Sequence, residues 1–275
     1  MRSSPRPRRR SSRGPAVTVA SVLGATAAVV VAVGVGVPRA LRRQAAIARR
    51  RIGKPLGEQA RDADRVWRRR LEGDPIELVI LGDSIAAGLG ADRPKETLGA
   101  RVAKGVGAAA RRPVRLRSVA VVGSESSALP AQIERIPSDL RPDLAVIIVG
   151  GNDVTHRVPL DVSLRHLRDA VRVLRARGAR VVVGTCPDLG ALRPVPQPLR
   201  VLASRLSRQL AAGQARVARE EGAHAVSLRA AVGRSFAREP ETMFSVDRFH
   251  PSALGYRRTA EALIPALVTE WRARP

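Results

Sequence analysis

Apolar residues along the last two hundred positions come in short runs, and most runs end on glycine or small polar residues. The first is Ile76-Glu-Leu-Val-Ile-Leu, which stops at Gly82-Asp83-Ser84. Val114–Val122 stops at Gly123-Ser-Glu-Ser126, and Leu144–Val149 at Gly150-Gly-Asn-Asp153. Val181–Gly184 leads into a loop holding Pro187, Pro194, Pro196 and Pro198, and Ala223–Leu228 is the fifth run. Runs this short and rich in Val and Ile predict strands, and the near-continuous ones predict burial on both faces. Between them lie helical stretches: Thr97–Arg111, Ser127–Ile136, Leu160–Arg177, Leu199–Glu221 and Ala253–Trp271. In the third, Leu160, Leu164, Leu167, Val171 and Leu174 fall on one helix face. Five such alternations predict an α/β fold: a three-layer, doubly wound, flavodoxin-like domain on a five-stranded parallel sheet.

The first third of the chain has a different pattern. Residues 1–15 are polar and basic, and Ala16–Val37 is a 22-residue run without a charge. A spanning helix needs about 20 residues and a secretory apolar core only about 7–15, so the length predicts an N-terminal membrane helix. A signal peptide cleaved near Ala40 is the alternative. Residues 38–74, rich in Ala and Arg, read as a juxtamembrane stalk, and residues 75–275 as the α/β domain. This predicts a membrane-anchored protein with its domain on the extracytoplasmic side, or a secreted form.

The net charge of +25 belongs to both parts. Residues 1–74 hold 18 basic and 5 acidic side chains, and residues 75–275 hold 31 and 19. The excess is almost all arginine, spread along the chain, and aromatic residues make up only 2%. With no single basic patch and few stacking platforms, a nucleic-acid partner is not expected. The one cysteine, Cys186, excludes an intrachain disulfide, reads as a buried small apolar residue and leaves no Cys/His metal spacing.

In an open α/β sheet, ligands bind beyond the carboxyl ends of the strands. Ser84, Gly123 and Asn152 follow three of the predicted strands, and His250 lies in a loop placed at the same edge. Acyl transfer needs a nucleophile, a base, a group that orients the base, and oxyanion donors. Ser84 is the candidate nucleophile and His250 the base. Asp247, three residues earlier, can reach the far ring nitrogen. Asp83 and Asp153 read as hydrogen-bond acceptors of their turns. His156, His166 and His224 have no comparable aspartate.

Gly82-Asp-Ser84, the glycine after the second strand, Gly-Gly-Asn152-Asp and Asp247-x-x-His-Pro come in an order that resembles the SGNH hydrolases. These are also called GDSL esterases and lipases, and the resemblance covers about residues 76–272. Two departures stand out: Ile85 replaces the leucine of the GDSL name, and Val122 stands where an asparagine often precedes Gly123. The resemblance implies an oxyanion hole made by the N–H groups of Ser84 and Gly123 and the Asn152 amide, with no cofactor. It implies a serine esterase acting on a lipid, a small acyl ester or an acylated glycan. An O-acyltransferase using the same triad is the alternative, and a non-catalytic module binding anionic envelope polymer a further one. The oligomeric state is left open.

Overall fold

The computed structural model describes residues 36–273. The chain divides into two units, residues 1–43 and 44–275. Of the first, only the start of α1 (Val37–Ile52) is described. Most of the expected membrane segment, residues 16–35, therefore lies outside the described residues. Among the described residues, no helix is long and apolar enough to cross a membrane.

The second unit is built on six strands: β1 (Val66–Trp67), β2 (Ile76–Gly82), β3 (Val114–Ser118), β4 (Leu144–Ile148), β5 (Arg180–Gly184) and β6 (His224–Val226). Their order is β1-β3-β2-β4-β5-β6. The five strands from β2 to β6 are parallel neighbours, as expected, in the flavodoxin-like winding. The sixth strand corrects the expected count. β1 pairs antiparallel with β3, Val66 opposite Arg115 and Trp67 opposite Val114. It comes from the stretch read as a stalk, where two residues among many arginines give no strand periodicity. Asp64 accepts the Ser118 N–H at 2.8 Å, and Trp67 Nε1 donates to the Ala63 carbonyl at 3.1 Å, fixing this edge.

The helices are α2 (Ser84–Ala87), α3 (Leu98–Ala110), α4 (Leu129–Glu134), α5 (Gly151–His156), α6 (Leu160–Ala176), α7 (Leu199–Glu220), α8 (Leu228–Arg238), α9 (Pro240–Met243) and α10 (Ala253–Arg272). Alternate residues of each strand feed opposite cores. Leu78, Ile80, Val146 and Val182 meet α3, α8 and α10 on one face. Val79, Leu81, Ile147 and Val183 meet α4, α6 and α7 on the other. Burial on both faces explains why these strands lack a polar alternation. The fifth expected strand is shorter than its apolar run, because Ser227 caps α8 by accepting the Ala230 N–H. That helix was not expected from the sequence.

Candidate active site

β2 ends at the centre of the sheet, and its last residue decides where Ser84 goes. Gly82 has φ +131°, and a Cβ there would lie 1.8 Å from the Ile148 carbonyl oxygen. Only glycine lets the two backbones approach this closely. Asp83 N–H then donates to that carbonyl at 3.0 Å, and the Asp83 side chain caps α2 by accepting the Ile85 N–H at 3.0 Å. Ser84 opens the helix, 6% exposed. The Gln132 amide braces the turn, accepting the Gly82 N–H at 2.8 Å and donating to its carbonyl at 2.9 Å.

The loop between α9 and α10 brings in the histidine. Phe244 bridges Pro251, and Ser245 N–H donates to the His250 carbonyl at 2.8 Å. His250 Nε2 lies 2.9 Å from Ser84 Oγ, and its Nδ1 lies 2.6 Å from Asp247 Oδ2. Asp247 Oδ1 accepts the N–H groups of Phe249 and His250 at 2.9 and 3.0 Å. Burial pushes the Asp247 carboxyl up, but the bonds from the His250 ring and these two N–H groups outweigh it and hold it below its ordinary value. It therefore stays ionised beside the ring. Phe249 packs edge-on against the imidazole at 4.8 Å.

The residues expected to form the oxyanion hole gather on the same edge. Gly123 has φ +82° in the turn Val121–Ser124, which is closed by Ser124 N–H to the Val121 carbonyl at 3.2 Å. A positive φ at the third turn position favours glycine, and that position's N–H is not used by the turn. The Asn152 amide donates to the Ser124 carbonyl at 2.9 Å, which fixes its plane and uses one of its two N–H groups. The Ser84 N–H, first in α2, has no intrahelical acceptor.

Sequence reasoning read Asp153 only as an acceptor of its own turn and missed its distant partners and the two glutamines beneath this edge. Asp153 is buried and accepts from Ser126 Oγ and N–H and, at 2.7 Å, from Ser163 Oγ, tying the loop after β3 to α6. Gln214 Oε1 accepts the Cys186 N–H at 2.7 Å while its Nε2 donates to the Val149 carbonyl at 2.9 Å, joining the ends of β4 and β5. Both glutamines sit on helix faces where nothing in the sequence marks them. Cys186 is buried, and burial pushes its thiol up, as befits an inert packing residue. Burial likewise pushes the Asp83 carboxyl up to about 6, against the N–H groups of Ile85 and Gly151 and the nearby His250, with Asp153 adding to the rise. The other histidines stand apart: His156 meets Glu125 at 2.7 Å and His224 faces Glu270 at 3.6 Å. Among the described residues, no group of three or more His, Cys, Asp or Glu side chains is placed to hold a metal ion.

A cavity opens beside Ser84 and Asn152. Its walls come from the loop after β5 and from α8, with Thr259 of α10 and Phe244 also lining it.

The GDSL-like lipase/acylhydrolase family model matches residues 80–258. A GDSL-like esterase of Mycobacterium tuberculosis is 41% identical over 202 residues, which span 73% of this chain and 64% of that relative. A catalytic mutant of an acetylxylan esterase from Geobacillus stearothermophilus superposes with a TM-score of 0.56 at 22% identity, covering 74% of this chain and 99% of the other. An α/β hydrolase from the metagenome of Lake Arreo, Spain, gives 0.53 at 21% identity, covering 71% and 96%. At these identities the structural likenesses speak for the fold alone; the family model, which spans more than half of the chain, carries the assignment. The chain belongs to the GDSL-like lipase/acylhydrolase family of SGNH hydrolases.

Proposed function

We propose that this protein is a serine esterase that cleaves carboxylic esters through an acyl-enzyme on Ser84. The observation that carries the reading is the unbroken line of contacts Ser84–His250–Asp247, at 2.9 and 2.6 Å, with a carboxylate held ionised at its end. His250 takes the Ser84 proton as Oγ attacks the ester carbonyl. Asp247 keeps Nδ1 protonated and stabilises the imidazolium. The N–H groups of Ser84 and Gly123 and the free N–H of Asn152 receive the oxyanion. The leaving alcohol collects the proton from Nε2, and water, activated by the same imidazole, frees the acid. Nothing in this cycle calls for a cofactor.

The test is hydrolysis of p-nitrophenyl acetate, butyrate and octanoate by the full chain, alongside Ser84→Ala and His250→Ala. Both variants are expected to lose at least about 10³-fold in kcat/KM. A folded wild type that turns over none of the three, or a Ser84→Ala variant that keeps its rate, would overturn the reading. We also propose that residues 16–37 tether the domain on the extracytoplasmic side. The length of that uncharged run supports it, and recovery of full-length protein wholly in the soluble fraction would refute the tether.

A further inference from the structure

The cavity beside Ser84 is built for something apolar. Leu228, Val232 and Phe236 project into it from α8 at spacings of four residues, and Leu189 and Leu192 face them from the loop after β5. All five are at most 9% exposed. Asp188 and Arg229 also line the cavity; they pair with each other at 3.1 Å, and Asp188 accepts from Ser204 as well, so the charged part of this wall is gathered at that pair and the rest of the wall is apolar. The cavity is reached from Ser84 and Asn152; Phe249 and Pro251 border it, but His250 does not.

This separates the two halves of an ester. The leaving alcohol must reach His250 Nε2 to collect its proton, so it lies on the imidazole side. With the carbonyl oxygen turned to Gly123 and Asn152, the remaining substituent is directed into the cavity. We propose that this cavity binds the acyl chain of a medium-chain aliphatic ester, with the α8 stripe as its wall and Val232 setting the usable length. The proposal rests on the esterase reading and narrows its substrate.

Each methylene moved from water into such a wall is worth about fourfold in kcat/KM. p-Nitrophenyl esters from acetate to hexanoate are expected to climb at about that rate, then level off once the cavity is full. Val232→Phe should lower the hexanoate-to-acetate ratio of kcat/KM at least tenfold, and Val232→Ala should shift the preference to longer chains. The second variant guards against a phenylalanine that fails to pack. A flat series with Ser84-dependent activity, or a ratio unmoved in both variants, would overturn the proposal. So would a climb that follows the alcohol chain, from ethyl to hexyl acetate, instead of the acyl chain. Binding of free octanoate, weakened at least tenfold in Val232→Phe, reads the cavity without catalysis. Octanoate binding of this kind with no ester hydrolysis would sink the esterase reading and keep the cavity assignment.

Discussion

Asn152 uses one amide proton to hold itself against the Ser124 carbonyl, and in the proposed mechanism the other serves the oxyanion. Removing such a donor costs about 10²–10³-fold in rate. Asn152→Ala is therefore expected to lower kcat by that factor with KM changed less than about threefold, as steady-state kinetics would show; a loss confined to KM would mean that Asn152 binds ground-state substrate only. Asp83 makes a different prediction. Its carboxyl is pushed up to about 6 from an ordinary 3.8, so the folded state binds that proton more tightly than the unfolded chain. The stability this gives is complete below pH 3.8 and is lost as pH rises to about 6, some 3 kcal/mol in all. Urea unfolding between pH 4 and 7 should show wild type losing stability that Asp83→Asn does not lose. Parallel curves for the two proteins would rule the effect out.

At the scale of elements, Ser84, the proposed nucleophile, is held by the joint between β2 and α2. Gln132, on α4, satisfies both backbone groups of Gly82, so α4 and β2 are locked together under Ser84. Gln132→Ala leaves the buried Gly82 N–H without a partner, at about 1–3 kcal/mol, while the Gly82 carbonyl keeps the Val121 N–H at 3.1 Å. The expected outcome is a loss of about 1–3 kcal/mol in chemical denaturation, together with a fall in kcat as Ser84 loses its brace. A stability loss with kcat intact would show that α4 supports the fold without positioning the serine. Gln214 makes the corresponding clamp between β4 and β5, beneath Asn152.

For the molecule as a whole, the winding of the sheet places the site. The crevice of a flavodoxin-like sheet lies where neighbouring connections leave for opposite faces, which here is between β2 and β4. Ser84 and Asn152 follow those two strands. The antiparallel β1 closes the far edge, covering β3 with the stretch around Trp67. Deleting residues 1–43 should leave the melting temperature within about 2 °C. Deleting residues 1–74 exposes the β3 edge and the contacts of Trp67, and should cost at least about 2 kcal/mol. Equal melting temperatures for the two truncations would show β1 to be dispensable.

The sequence by itself determined the five parallel strands, because strands buried on both faces need unbroken apolar runs. It also marked Ser84, Gly123, Asn152 and His250, because each follows a predicted strand or lies in a loop at the same sheet edge and their motifs come in an order that resembles the SGNH hydrolases. Asp247 was legible from a spacing of three residues, which brings its carboxylate within reach of the imidazole. Tertiary structure alone decided the rest. β1 has two residues and no periodicity, and it exists only because β3 offers an unpaired edge. The stripe Leu228-Val232-Phe236 acquired a meaning only when the loop after β5 folded opposite it. Asp153 was legible only as an acceptor of its own turn, and Gln132 and Gln214 carry no local signal: the partners of all three lie 8 to 65 positions away, and a long-range hydrogen bond leaves no pattern in a single chain.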